Sequence, residues 1–412
     1  MKQVLFIAYY FPPLGGAGVQ RTLKFVKYLR EFGWNASVLT VHTKRSTLTD
    51  LTLLNEVPPD TIIYRTMAPA LPTRVPWKIR NSIARWFLVV DEQIGWLPVA
   101  VRRGKELLQS SGIDALVSSS APYTSHLIGY QLRDIAQIPW VADFRDPWID
   151  NLTTQYPTRL HASLAQRFEQ RVITRADRTL VVSEPMRAAI LKRYTGLPED
   201  QVITLTNGYD PADFVNNTPP SEQNSKFTIT YTGSFYANAR SPSNFLAALK
   251  KCLDDQRIPR DKIRVVLVGN LASKINDDIH QLNLSDVIQI TGYVPHRSSI
   301  SYLHQSDLQL LIIGSLPGSQ AIFTGKIFEY LASNKPILAL APPGAACDLI
   351  LEARAGEVVA PDDIGEIANQ LCMFYTKWVS GRLHLNSDLS VIQRYDRRQL
   401  TQQLAEILDN LV

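Results

Sequence analysis

The sequence is poor in cysteine and has no long apolar run. Its 3 cysteines, Cys252, Cys347 and Cys372, lie far apart, without the Cys-x-x-Cys or Cys/His spacing of a metal site. We therefore expect neither a disulfide framework nor a zinc site, which is typical of a reducing compartment. No apolar run approaches the roughly 18 residues that span a bilayer. These absences predict a soluble, cytoplasmic protein.

The sequence also has little excess charge and lacks two common nucleotide motifs. Lys and Arg number 43 against 38 Asp and Glu, and a net charge of +5 on 412 residues is explained by solubility alone. We therefore expect no nucleic-acid partner. Neither Gly-x-Gly-x-x-Gly nor a Walker Lys-Ser/Thr is present. Because His42-Thr43-Lys44-Arg45 stands where an NAD site needs an acidic residue, NAD is disfavoured, and NADP is left open only through Arg45.

What is present is a regular alternation of short apolar runs and helical patterns, which predicts βαβ units and parallel sheets. The expected strands are Val4–Tyr10, Ala36–Val41, Ala115–Ser118, Trp140–Phe144, Thr179–Val182, Thr228–Thr232, Ile263–Gly269, Val287–Gly292, Leu308–Ile313 and Pro336–Leu340. The segment Asn207–Ser225 has no apolar period and is rich in Asn, Pro and Ser, so it predicts a linker. We expect domains at 1–206 and 226–387, a linker at 207–225 and a C-terminal helix at 388–412.

Ligands of open α/β sheets bind beyond the carboxyl ends of the strands. In the first domain this edge carries the glycine loop with Gly15 and Gly16, where backbone N–H groups at a helix start suit an anion; a plain flexible turn is the alternative. It also carries His126, Asp143 and Asp146. The two carboxylates could position hydroxyls or accept a proton, or they could form a structural Asp–Arg pairing. His126 is either a substrate contact or a structurally bonded helix residue.

In the second domain Gly233 follows a predicted strand, and Arg240 comes shortly after it. Gly325-Lys326 opens a predicted helix, and Glu329 lies about one turn further on. A lysine at a helix start suits a pyrophosphate, and a nearby carboxylate can bind vicinal ribose hydroxyls. Together with Gly292-Tyr293 at another strand end, these residues predict a nucleotide site.

Four segments, in this order, resemble the retaining GT-B glycosyltransferases of family 4. They are Tyr9-Tyr10-Phe11-Pro12-Pro13-Leu14-Gly15-Gly16, Asn207-Gly208-Tyr209-Asp210, Gly292-Tyr293-Val294-Pro295 and Gly325-Lys326-x-x-Glu329-Tyr330-Leu331-Ala332. The resemblance covers nearly the whole chain. It implies an α/β protein of the GT-B class, with two Rossmann-like, doubly wound lobes facing a central cleft. The nucleotide-sugar would lie mainly on the C-terminal lobe and the acceptor mainly on the N-terminal lobe.

The resemblance also implies roles for single residues. Donor binding would fall to Gly15, Gly16, Gly233, Arg240, Tyr293, Val294, Thr324, Gly325, Lys326 and Glu329. Among these, Lys326 and Arg240 would neutralise the diphosphate, and Glu329 would bind the ribose. His126 resembles the histidine near the transferred sugar, and with Asp143 and Asp146 it makes up the expected catalytic set. The chain departs from the family's Glu-x7-Glu pair, because Ala321 stands where the first glutamate belongs.

The function implied is retaining transfer of a sugar from a UDP- or GDP-linked donor to a glycan or lipid-linked acceptor, in bacterial polysaccharide biosynthesis. No cofactor and no metal are expected. Two alternatives stay open: a GT-B sugar-nucleotide epimerase, and a non-catalytic nucleotide-sugar-binding protein, for which Ala321 is the best argument. An NADP oxidoreductase would leave the second nucleotide-type lobe unexplained.

The stretch 74–105 bears on the acceptor. Seven basic residues are interleaved there with four aromatic residues: Arg74, Lys78, Arg80, Arg85, Arg102, Arg103 and Lys105, with Trp77, Trp86, Phe87 and Trp96. Cationic side chains beside indoles suit an anionic membrane surface, which would place the protein on the inner face of the cell membrane. The alternative is a solvated basic face with its tryptophans packed inward.

Overall fold

The structure is a computed structural model that describes residues 1–42, 48–68, 90–151, 154, 156–215, 224–235, 241–315 and 324–412. These residues form two compact units. Unit 1 consists of residues 1–207 and 397–412, and unit 2 of residues 208–396. None of the described helices is both long and apolar enough to cross a lipid bilayer.

Unit 1 contains a parallel sheet of seven strands within its described residues. The strands are β1 Lys2–Ala8, β2 Trp34–Val41, β3 Ile63–Thr66, β4 Ala115–Ser120, β5 Trp140–Phe144, β6 Arg178–Val181 and β7 Val202–Thr204. Their order across the sheet is β3-β2-β1-β4-β5-β6-β7. The order reverses between β1 and β4, as in a Rossmann sheet, and this is where such sheets bind ligands.

Helices cover both faces of this sheet. They are α1 Ala17–Tyr28, α2 Leu97–Ser110, α3 Thr124–Ala136, α4 Arg159–Arg175 and α5 Glu184–Arg193. Side chains of a strand alternate between the two faces, so Val4 and Phe6 of β1 join one buried cluster and Leu5 and Ile7 join the other. Buried apolar side chains therefore pack on both sides of the sheet.

Unit 2 repeats the plan with a parallel sheet of six strands in its described part. The strands are β8 Phe227–Thr232, β9 Ile263–Val268, β10 Ile288–Gly292, β11 Leu308–Ile312, β12 Ile337–Leu340 and β13 Gly356–Val359, and their order is β10-β9-β8-β11-β12-β13. The helices are α6 Ala212–Val215, α7 Ser243–Asp254, α8 Ser273–Gln281, α9 His296–His304, α10 Lys326–Ala332, α11 Ala345–Glu352, α12 Ile364–Val379 and α13 Leu389–Gln393. Both units therefore have Rossmann-like sheets, and this part of the fold prediction is confirmed.

The last helix, α14 Arg397–Asp409, belongs to unit 1. Leu400, Leu404 and Leu408 are buried in the same cluster as Val4 of β1. The Trp34 indole donates a hydrogen bond of 3.1 Å to Asp409. The C-terminus of the chain thus completes the core that its N-terminus begins.

Two predicted boundaries differ from the structure. The segment 207–225, expected as a linker, contains α6 and pairs at Tyr209 with Asp396 in a β-bridge. The single helix expected from residue 388 is two helices, separated where the Tyr395 carbonyl accepts a hydrogen bond of 3.0 Å from the Tyr209 N–H beside the bridge. Of the two helices, α13 packs within unit 2 through Val391 and Ile392.

Candidate functional site

In unit 2, Lys326 and Gly233 meet at the carboxyl ends of the strands. Gly233 follows β8 with a φ of 110°, in the region that favours glycine. A Cβ atom on Gly233 would lie 2.8 Å from the Lys326 ammonium nitrogen. The absence of a side chain at residue 233 is therefore what lets the ammonium rest against the backbone there.

Two further glycines follow the next strands of the sheet. Gly269 comes directly after β9, and a Cβ atom there would lie 2.5 Å from the carbonyl oxygen of Gly233. Gly292 ends β10, and its carbonyl accepts a hydrogen bond of 3.0 Å from Gly269. The ends of β8, β9 and β10 therefore form a surface of bare backbone, which a ligand can approach closely.

Aromatic side chains of α10 and β8 hold Lys326 in place. Its ammonium lies 3.9 Å from the centre of the Tyr231 ring, which stacks on Phe235 at 4.1 Å. On α10, the Tyr330 hydroxyl accepts a hydrogen bond of 2.9 Å from the backbone of Thr232. The helix is thus fixed to the end of β8, and the positive charge sits over a π-face at the sheet edge.

Glu329 lies on α10, three residues after Lys326, and contacts a histidine that the sequence analysis did not single out. The Glu329 carboxylate is 2.9 Å from Nε2 of His296, the first residue of α9. Nδ1 of His296 is 4.0 Å from the carboxylate of Asp213. His296 directly follows the Gly292–Pro295 motif, and this position next to a predicted site segment could have identified it from the sequence.

The other predicted donor residues of unit 2 surround this cluster. Thr324 is buried, and its hydroxyl has no hydrogen-bond partner among the described residues. Gly325 precedes α10 and is exposed, and Tyr293 is 36% exposed with its backbone N–H bonded to the Asn270 side chain at 3.1 Å. Val294 is half-buried beside it. Arg240 and Ala321 lie outside the described residues.

In unit 1 the glycine loop joins β1 to α1. Gly16 caps α1 with a φ of 92°, and a Cβ atom there would lie 3.0 Å from Leu48. The N–H of Gly15 already donates to the Leu48 carbonyl at 3.1 Å. The first turn of α1 holds no acidic residue, so the N–H groups there, rather than that of Gly15, suit an anion.

His126 lies in the first turn of α3 and is completely buried. Its Nδ1 is 2.8 Å from the Ser118 hydroxyl, which also accepts a hydrogen bond of 2.9 Å from the Trp140 indole. The ring stacks on Phe144 with 4.2 Å between centres. Its Nε2 has no protein partner among the described residues. Burial lowers the pKa of His126 from 6.5 to about 3, so the ring is neutral.

Asp143, at the end of β5, is buried in an ion pair. Arg21 of α1 binds its carboxylate at 2.8 Å, and the Ser119 hydroxyl donates to it at 2.8 Å. The same guanidinium donates to the carbonyls of Leu205 and Thr206 at 2.9 and 2.6 Å. This geometry favours the structural alternative for Asp143, with Arg21 as its partner.

Arg145 and Asp146 follow Asp143. The Arg145 guanidinium donates to the carbonyls of Gly18, Ser120 and Ala121, and it thereby ties the glycine loop to the ends of β4 and β5. Burial lowers the pKa of Arg145, while the carboxylate of Asp146 opposes that shift. Asp146 itself is exposed.

Half of the basic stretch 74–105, residues 74–89, lies outside the described residues. Within the described part, Trp96 is fully buried, with its indole donating to Thr66 at 2.8 Å. Trp96 therefore packs inward, as the alternative interpretation of this stretch expects. Arg103 pairs with Glu106 at 2.7 Å on the surface of α2.

Comparison with known proteins finds two families in succession. Residues 15–208 match a family described as a glycosyl transferase 4-like domain, and residues 226–377 match the glycosyl transferases group 1. The chain is similar to the 2-deoxystreptamine N-acetyl-D-glucosaminyltransferase of Niallia circulans, with 25% identity over 171 residues. That alignment covers 41% of this chain and 42% of the relative.

Solved structures show the same fold over the full length. Sucrose-phosphate synthase from Thermosynechococcus elongatus superimposes with a TM-score of 0.72 and 16% identity, covering 100% of this chain and 99% of that one. Anabaena Alr3699/HepE, in complex with UDP and glucose, gives a TM-score of 0.70 and 17% identity, covering 100% of both chains. With both domain families matched in order on two Rossmann-like units, the chain belongs to the GT-B glycosyltransferases, consistent with family 4.

Proposed function

We propose that this glycosyltransferase takes its sugar from a UDP- or GDP-linked donor and transfers it, with retention of the anomeric configuration, to a glycan or lipid-linked acceptor. The observation that carries the proposal is the Lys326 ammonium resting against Gly233, with Glu329 on the same helix. A fixed cation beside bare backbone suits a diphosphate, and a carboxylate suits ribose hydroxyls. Alr3699/HepE, of the same fold, is in complex with UDP and glucose.

The chemistry follows from where charge develops. When the sugar leaves, negative charge grows on the nucleoside diphosphate, and a preorganised cation stabilises it more than it stabilises the ground state. Lys326 would supply that charge in unit 2. In unit 1, the Nε2 atom of the buried His126 ring would donate a hydrogen bond to a substrate hydroxyl. We name no covalent nucleophile, because Asp143 is held by Arg21.

Calorimetry with UDP and with GDP tests the nucleotide site. Lys326→Ala and Glu329→Ala should each weaken binding of the preferred nucleotide at least tenfold, as expected for losing a charge-assisted contact of roughly 1.5–3 kcal/mol. Lys250→Ala is the matched control, because Lys250 is a surface lysine of α7 paired with Asp254 at 2.9 Å. Unchanged affinity in both site variants would refute the assignment.

Turnover assays separate transfer from the alternatives. A nucleotide-sugar panel incubated with glycan and lipid-linked acceptors should yield a product whose anomeric configuration, read by NMR, matches the donor. An epimer formed without acceptor would identify an epimerase, and binding without turnover would identify a non-catalytic protein. Activity should persist in EDTA, since the proposed stabilising charges are side chains.

We also propose that the basic stretch 74–105 contacts an anionic membrane carrying the acceptor. Binding to anionic liposomes should then be salt-sensitive and should weaken in Arg80→Ser/Arg85→Ser, because each basic residue near such a surface contributes roughly 1 kcal/mol. Absence of liposome binding at low salt would refute the proposal.

A further inference from the structure

We infer that Trp140 and Ser118 fix the tautomer of His126, so that its Nε2 permanently carries the proton and acts as a hydrogen-bond donor. The inference rests on the proposed function only in assigning a substrate hydroxyl as the acceptor. Its structural basis is a chain of two hydrogen bonds, from the Trp140 indole to the Ser118 hydroxyl at 2.9 Å and from that hydroxyl to His126 Nδ1 at 2.8 Å.

The direction of this chain follows from the chemistry of its members. An indole N–H only donates, so the Ser118 oxygen accepts from Trp140. A serine hydroxyl has one proton of its own, and Ser118 is completely buried. His126 Nδ1 is the acceptor within reach of that proton, and a buried hydroxyl left without one is costly. Nδ1 therefore accepts, and the single proton of the neutral ring lies on Nε2.

The far side of the ring presents a buried nitrogen that is not satisfied by the protein residues described. Nε2 has no hydrogen-bond partner among the residues that the structure describes, although the ring is completely buried. Stacking on Phe144 at 4.2 Å restricts rotation of the ring. A donor that is fixed, neutral and unsatisfied is suited to an uncharged oxygen acceptor such as a sugar hydroxyl. Trp140 and Ser118 are thus positioning residues.

Close packing against α3 holds the Trp140 indole in position. A Cβ atom on Gly129 of α3 would lie 2.5 Å from the Trp140 indole nitrogen, so only glycine allows the helix to approach it. The chain offers a matched site on α2. A Cβ atom on Gly104 would lie 2.4 Å from Leu132 of α3, and its three nearest neighbours are all atoms of that leucine side chain. Gly129→Ala should disturb the hydrogen-bond chain, and Gly104→Ala should disturb only apolar packing.

Long-range ¹H–¹⁵N NMR of histidine-labelled protein reads the tautomer directly and needs no substrate. His126 is one of 7 histidines, and its signals are identified by their loss in His126→Gln. We expect a protonated Nε2 and an unprotonated Nδ1 in the wild type and in Gly104→Ala, and a tautomer mixture in Ser118→Ala, Trp140→Phe and Gly129→Ala. A protonated Nδ1 in the wild type would overturn the inference, even if every variant failed to fold.

Activity separates donation from proton transfer. His126→Gln keeps an N–H donor on a side chain of similar reach, so it should retain roughly tenfold more kcat/KM than His126→Leu, the size expected of one hydrogen bond. Equal loss in both variants would contradict the donor role. UDP affinity in unit 2 should stay at the wild-type value in each. A wild type that transfers no sugar would refute the proposed function while leaving the NMR result to decide the inference.

Discussion

Gly233→Ala places a methyl group against the Lys326 ammonium and is the sharpest probe of the nucleotide site. The new Cβ atom would lie 2.8 Å from the nitrogen, whereas ordinary van der Waals contact begins at 3.4 Å. The ammonium ends a flexible side chain, so it can retreat by about 0.6 Å at little cost in packing. The expected effect is therefore on the position of the charge.

The size of the effect follows from Coulomb's law. With an effective dielectric constant of about 20, retreat from about 4 Å to about 4.6 Å from a phosphate charge costs about 0.5 kcal/mol per unit charge. A diphosphate presenting about two charges would then lose about 1 kcal/mol, which is about a fivefold weaker affinity for UDP or GDP. Calorimetry resolves a change of this size.

The backbone strain of the substitution needs its own control. Gly381 also has a positive φ, of 66°, but a Cβ atom there meets nothing within 4 Å. Gly381→Ala should share a loss of stability of about 1–2 kcal/mol in denaturant unfolding while binding nucleotide like the wild type. Undiminished nucleotide affinity in Gly233→Ala would refute the placement of the phosphate at Lys326. Equal losses of nucleotide affinity in Gly233→Ala and Gly381→Ala would show that backbone strain, and not the position of the charge, is responsible.

Thr324→Val should raise the melting temperature, because it removes a buried, unpartnered hydroxyl costing about 1 kcal/mol. It should also weaken nucleotide-sugar binding, and unchanged binding would exclude a contact between Thr324 and the nucleotide-sugar. Arg21→Met should cost about 3–5 kcal/mol in urea unfolding, because it leaves the buried Asp143 carboxylate unpaired; a loss below 1 kcal/mol would contradict this. The pKa of His126 is about 3 in the folded protein against an ordinary 6.5, so below pH 6.5 the unfolded chain binds a proton that the folded protein refuses. The contribution of neutral His126 to the free energy of unfolding is therefore complete above pH 6.5, and about 2 kcal/mol of it is lost at pH 5. Between these pH values the free energy of unfolding of His126→Gln should fall by about 2 kcal/mol less than that of the wild type. Equal pH profiles of stability would contradict the assignment.

The fold was readable from the sequence where apolar runs are long and doubly buried. Trp140–Phe144 is predicted with the bounds that the structure has, because a buried parallel strand is apolar throughout. The strands β3, β7 and β13 were missed, since each has only three or four residues and is only partly buried. The tail was predicted as one helix from an apolar period that lies wholly after Asp396, where pairing with Tyr209 separates the two helices.

The candidate site was readable where its residues are close in sequence. Lys326 and Glu329 stand one helical turn apart, so their shared surface follows from spacing. Their contacts with Gly233 and His296 depend on which strands become neighbours, which local patterns do not encode. The same holds for Asp143: the sequence suggested a local pairing with Arg145, whereas the partner is Arg21, 122 positions away.

The placement of α14 has a consequence for the order in which the molecule is made. Residues 208–396 are continuous in sequence, so unit 2 can fold as soon as they have left the ribosome. Unit 1 holds all the residues before 208, yet its core lacks Leu404 and Leu408 until residues 397–412 have emerged. Unit 1 is thus synthesised first and completed last, and removal of residues 397–412 would expose apolar side chains of β1 and α1.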